Sequence, residues 1–164
     1  MQVRHTMFEP TLVVIMRLNA RYSTDTTRQY LWGMDQWSAA FARAAHAGGV
    51  PIVAGTDLMG SPARDTVPAI HDELAYLVSD GGLSPIEAIG AATATAHGAR
   101  ALGVDRELGT IEVGKIADLV VLSADPTRNI RNTRAIRLVV KGGVIYERRW
   151  PQALVERREP YSEP

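Results

Sequence analysis

Asp57 is the residue whose position first suggests chemistry. It follows the apolar run Val50-Pro51-Ile52-Val53-Ala54 and the turn pair Gly55-Thr56. A short apolar run bounded by turn residues reads as a buried strand. The carboxylate then stands at that strand's C-terminal end, where α/β barrels and open α/β sheets assemble their sites. There it could ligate a metal or act as a general base. Aspartate is also a common turn and cap residue, and the local pattern alone fits that bland reading better.

The chain has four histidines, at 5, 46, 71 and 97. They form neither a His-x-His pair nor a His-Glu-x-x-His motif, the spacings that place two imidazoles on one metal. His46 falls near a helix end, where a cation suits the dipole. His97 lies in an Ala-rich helical stretch and reads as a packed or surface residue, and His5 has no assignable element. His71 opens His71-Asp72-Glu73-Leu74, early on the helix after the Asp57 loop, and could face the same pocket. A partly exposed helical histidine is an equally good reading.

The elements that must position these residues follow from periodicity. Residues 10–16 read as a short strand opened by Pro10. Ser23, Thr24 and Asp25 offer caps for a helical stretch reaching Trp32. Asp35 reads as a new N-cap, after which Trp37, Ala40, Phe41 and Ala44 share one helical face. Gly48-Gly49 ends that helix and residues 50–54 form a buried strand. A helix from about Thr66 buries Ile70, Leu74, Leu77 and Val78 and closes at Gly81-Gly82. Ser84, Pro85 and Glu87 spell a capping box for a helix running to about Leu102. Short strands follow: residues 110–113 paired with 117–122 across a Gly114-Lys115 turn, and residues 136–140 with 144–148 across Gly142-Gly143. A soft boundary lies near residue 104, and residues 150–164 form a polar tail.

Composition narrows the function classes. Eighteen basic residues balance eighteen acidic ones, which gives no global attraction to nucleic acid or an acidic membrane. The basic residues from Arg128 to Arg149 read as a solvated strand face. With no cysteine, thiolate metal sites, cysteine nucleophiles and disulfide scaffolds are excluded. This fits a reducing compartment, and a cytoplasmic location is expected. The apolar runs at 12–16 and 119–122 are far too short to cross a bilayer, and the first ten residues lack a stretch of signal-peptide length. Gly-rich phosphate loops and the G-x-S-x-G nucleophile elbow are missing as well.

Taken together, the block from Ala47 to Asp57, then His71-Asp72-Glu73-Leu74, then Gly82-Leu83-Ser84-Pro85-Ile86-Glu87-Ala88-Ile89 with Ala92-Thr93, and the block from Leu108 to Leu122 resemble the amidohydrolase superfamily, near its imidazolonepropionase and prolidase-like branch. Asp125-Pro126 and Val139-Val140-Lys141-Gly142-Gly143 extend the resemblance, which covers roughly residues 45–148. Each block is moderately specific; their order is highly specific. The resemblance implies an α/β fold: the last units of a (β/α)₈ TIM barrel over residues 1–104, and short strands of a composite β-sandwich over residues 105–149. A whole barrel of this kind needs about 250 residues, more than this chain has.

It also implies chemistry. In the family the aspartate matching Asp57 ligates a divalent metal, usually zinc, and shuttles a proton from metal-bound water to the leaving nitrogen. Zinc lowers the pKa of bound water toward about 7, which supplies hydroxide at neutral pH. The implied reaction is hydrolysis of a C–N bond in a small-molecule amide, cyclic amide or dipeptide, with Asp57 as catalytic group and metal ligand and His71 as a substrate-binding wall residue. The family's His-x-His, bridging lysine and later histidines have no counterpart here, and one carboxylate cannot hold a catalytic zinc that needs about three protein ligands. Three expectations follow: a C-terminal part of an amidohydrolase that is inactive alone, one half of a split enzyme completed by another chain, or a non-catalytic assembly module. Open strand edges and exposed apolar faces lead to the expectation of a homo-oligomer, a complementing partner or poor solubility.

Overall fold

Two extended segments meet in parallel at Phe8 and Ile52. The Phe8 amide donates to the Pro51 carbonyl and the Val53 amide to the Phe8 carbonyl, both at 2.9 Å. The rest of the fold is arranged around this contact in a computed structural model that describes residues 6–21, 33–58, 68–93 and 98–147. The expected strand at residues 50–54 is thus reduced to one pairing residue, with Ile52 buried and Val50 exposed.

Residues 10–16, expected as a strand, instead open a helix, α1 (Leu12–Arg21). The cause lies far along the chain. The carboxylate of Glu73 accepts the amides of Leu12 and Val13 at 3.0 and 2.7 Å. A helix start leaves its first amides without partners, and a buried start must find them. Glu73 supplies what a Ser or Asp cap supplies locally elsewhere. The expected helix ending at Trp32 lies outside the described residues.

Helix α2 (Met34–Ala47) begins two positions earlier than expected, with Gly33 at the N-cap position and Asp35 in the first turn. Its buried face also differs. Ala39 and Ala42 point inward, whereas Trp37 is 77% and Phe41 62% exposed. Small side chains let α2 sit close to α1, and the large aromatic ones turn outward, where Phe41 meets Phe8 edge-on with centroids 5.2 Å apart. Aromatic rings favour this geometry because the positive edge of one faces the negative face of the other. The helix ends at Gly48-Gly49 as expected.

Helix α3 (Ile70–Ser79) packs on α1 and on α4 (Pro85–Ala92). Leu74 and Leu77 are buried as expected, but so are His71 and Glu73. The N-terminus of α4 agrees with the sequence reading in every part. The Ser84 hydroxyl accepts the Glu87 amide at 3.4 Å, the Glu87 carboxylate accepts the Ser84 amide at 2.8 Å, and Pro85 occupies the first turn. The Ser84 hydroxyl also holds the Glu87 carboxyl below its usual range. The helix does not continue to Leu102. It stops at Ala92, where Thr93 turns extended and its hydroxyl bonds back to the Ile89 carbonyl at 2.8 Å. A separate short helix, α5, covers Ala99–Leu102. Leu12, Ala42, Ile52, Leu74, Leu77, Leu83, Ala88 and Ala91 form one core, which Ile130 joins from beyond residue 104.

The C-terminal segment forms an antiparallel sheet in the order β1 (Leu119–Leu122), β2 (Ile136–Lys141), β3 (Val144–Glu147). Val120 faces Val139, and Val139 faces Tyr146. The hairpin falls where Gly142-Gly143 predicts it, with φ of 56° and 80° at the two glycines. Asp118 fastens this turn, accepting the Gly142 amide at 2.7 Å and pairing with Lys141. Residues 110–113 are not a strand. The Ile116 amide bonds the Glu107 carbonyl, and Lys115 reaches the Asp105 carbonyl. These contacts close residues 104–118 into a loop with Ile111 88% exposed. Between β1 and β2, a 3₁₀ turn (Ile130–Arg134) packs against α3. Arg134 there pairs with Asp72 rather than standing on a solvated strand face.

Candidate functional site

Asp57 stands five residues beyond Ile52, past the end of the parallel contact. It is exposed, and its φ of 44° lies in the left-handed region. Aspartate is among the few side chains that tolerate this conformation. The carboxyl group is therefore presented at a turn rather than folded into the core.

A second carboxylate shares this end of the contact. Glu9 directly follows Phe8, and a Cβ added to Gly55 would overlap the Glu9 carboxyl group. Glycine at 55 is what lets the Glu9 side chain cross the loop leading to Asp57. The sequence predicts only a turn at Gly55 and carries no signal for Glu9 beside it.

Glu73 was likewise missed, although its position carries a signal. It sits on the helical face that also holds Ile70, Leu74 and Leu77, and a carboxylate on an apolar face must have a buried partner. Its side chain has no exposed surface. Burial pushes the carboxyl up to about 7, opposed by the Val13 and Leu12 amides and reinforced by the nearby charge of Glu9.

His71 is buried between α3 and the 3₁₀ turn, its Nδ1 3.0 Å from the Thr133 hydroxyl. That hydroxyl donates its proton to the Ile130 carbonyl at 2.8 Å. Nδ1 must then carry the hydrogen and donate to Thr133. One residue on, Asp72 accepts Arg17 of α1 at 2.9 Å and also pairs with Arg134. His71, Asp72 and Glu73 thus bind two elements, α1 and the 3₁₀ turn, and α3 ties them together. His46 lies 3.8 Å from Glu87, joining the end of α2 to the start of α4; His5 and His97 are outside the described residues.

Among the described residues, no group of three or more His, Cys, Asp or Glu side chains could hold a metal ion. A catalytic zinc needs about three protein ligands and an open position. The described residues therefore do not fit a complete metal site.

The segment preceding Asp57, the helices after it and the small antiparallel sheet are an arrangement shared with hydrolases. The chain belongs to the amidohydrolase family, whose model matches residues 35–146. It is 34% identical over 120 residues to an imidazolonepropionase of Shouchella clausii, covering 66% of this chain and 26% of that protein. The structure of a Xaa-Pro dipeptidase with methionine bound in its active site superposes with a TM-score of 0.74 at 26% identity, over 87% of this chain and 34% of that one. Ochratoxinase from A. niger gives 0.72 at 27% identity, over 86% and 32%. The chain thus spans about a quarter to a third of the length of these relatives. No helix among the described residues is long and apolar enough to cross a membrane.

Proposed function

We propose that this chain is the C-terminal part of a divalent-metal hydrolase of C–N bonds, with Asp57 as the metal ligand and proton shuttle of the complete site. In this reading the parallel Phe8–Ile52 contact belongs to the last two strands of a (β/α)₈ barrel, and β1 to β3 form part of a composite β-sandwich. The observation that carries the reading is the position of Asp57: exposed, past the end of a parallel pair, within the segment that the family model matches. Barrel enzymes place catalytic groups at that end of their strands.

Zinc is the metal the family resemblance favours, and bound to water it would supply the hydroxide nucleophile. The substrate class is a small amide, cyclic amide or dipeptide, in line with the relatives' names. His71 enters this reading as the substrate-binding residue that the family resemblance suggests. The lack of cysteine supports a cytoplasmic setting. In this reading the chain is inactive until a complementing chain or second copy supplies histidines.

Zinc content tests this directly. Purified wild-type chain and Asp57→Asn are dialysed against zinc, alone and with a complementing amidohydrolase segment bearing His-x-His. Near-stoichiometric zinc and dipeptide hydrolysis only in the wild-type complex are the expected result. Zinc retained equally by Asp57→Asn would remove Asp57 from the site. A second reading, a non-catalytic assembly module, is favoured by one feature: Phe8, Pro10, Trp37 and Phe41 line an open apolar hollow. Sedimentation of wild type against Trp37→Ser/Phe41→Ser separates it, since a module assembling through this hollow loses its association in the variant and a hydrolase segment keeps its zinc response.

A further inference from the structure

We propose that Glu73 is a positioning residue for the Asp57 end of the fold: by gripping the Leu12 and Val13 amides, it sets where Phe8, Glu9 and the Gly55 loop stand. The proposal deepens the hydrolase reading of Asp57 and rests on it only for its functional meaning.

The mechanical path is short and stiff. Between the gripped amides and the parallel contact at Phe8 lie Glu9, Pro10 and Thr11. Pro10 is buried and its ring fixes φ. Thr11 has a φ of 48°, which a β-branched residue adopts only when its surroundings impose it. Phe8 is then bonded to Pro51 and Val53, and Glu9 fills the space beside Gly55. The next amide, Ala54, is held by the Ala91 carbonyl of α4 at 2.9 Å. A shift of the α1 start therefore passes to the Gly55 loop instead of dissipating in α1.

The grip depends on ionisation. A carboxylate offers good acceptors on both oxygens, and it faces the positive end of the α1 dipole. In the neutral acid one oxygen is a hydroxyl, and one of the two amides loses its strong acceptor. Burial pushes this carboxyl up to about 7, so the change falls in the neutral range. Glu9 precedes α1 and opposes ionisation. Arg17 of α1 and Arg134 of the 3₁₀ turn pair with Asp72 of α3. His71 bonds Thr133, Arg131 of the 3₁₀ turn is exposed, and Glu87 of α4 is turned to Ser84 and His46.

The test is an amide NMR titration of the full chain from pH 5 to 9, for wild type and Glu73→Gln, with the His71 ring protons followed in parallel. In wild type, the Leu12 and Val13 amide protons are expected to move downfield as pH rises. Phe8, Val53 and Gly55 should move with the same midpoint. In Glu73→Gln the whole step should be lost. A step at Leu12 and Val13 that leaves Phe8, Val53 and Gly55 still would overturn the proposal, and so would a step that persists in Glu73→Gln or tracks the His71 ring. Should Glu73→Gln not fold, the wild-type titration decides by itself. No readout requires metal or turnover, so failure of the hydrolase reading and failure of the Glu73 grip are separate results.

Discussion

The Glu73 carboxylate accepts the Val13 amide at 2.7 Å across sixty residues of chain, with no exposed surface on its own side chain. A buried anion at a helix start is stabilised by the amides and the dipole but penalised by lost hydration. Here the penalty is the larger effect, since the carboxyl is pushed from 4.5 up to about 7.

The sign of the resulting pH dependence is fixed by that direction. The folded chain binds the Glu73 proton more tightly than the unfolded chain. Its contribution is fully present below the unfolded value near 4.5 and is lost as pH rises through about 7. The loss amounts to about 3 kcal/mol. Urea unfolding at closely spaced pH values should show this decline in wild type, and Glu73→Gln should flatten it. Glu73→Ala should cost about 2 kcal/mol at low pH as well, because two amides lose their partner.

Thr133→Val should destabilise the chain by about 1–3 kcal/mol, because it leaves the buried His71 Nδ1–H without its acceptor. Thermal unfolding measures this. Thr133→Ser keeps the hydroxyl and should retain most of the stability.

Asp57→Asn should leave stability within about 0.5 kcal/mol of wild type, since Asn tolerates the same left-handed backbone and the site is exposed. Loss of zinc binding in that variant with an unchanged melting curve would place its effect in the site alone. Asp57→Val, by contrast, should lower the melting temperature through backbone strain.

Gly55→Ala should displace Glu9, whose carboxyl group occupies the space of the new methyl. Because the obstacle is the end of a flexible, exposed side chain, the cost should stay below about 1 kcal/mol. In Gly55→Ala/Glu9→Ala that cost should vanish. A double-mutant cycle by urea unfolding reads the coupling.

Elements whose causes lie within a few residues were legible in the sequence. Ser84, Pro85 and Glu87 start α4 through bonds spanning three residues. Gly142 and Gly143 turn the hairpin because their backbones enter the positive-φ region readily. The order of motifs also identified the family, and with it Asp57 as the candidate group. The tertiary structure alone decided that residues 12–21 are helical, that Trp37 and Phe41 face outward, and that residues 110–113 do not pair. It also placed Glu9 beside Gly55 and Glu73 under α1. In each case the deciding partner lies beyond the few residues that a local pattern spans: a carboxylate sixty positions away, a neighbouring helix that fits alanine more closely than tryptophan, a loop closed by the Lys115–Asp105 bond. Short-range pattern reports hydrogen bonds that a segment can satisfy by itself, and it cannot report those that wait for another part of the chain to arrive.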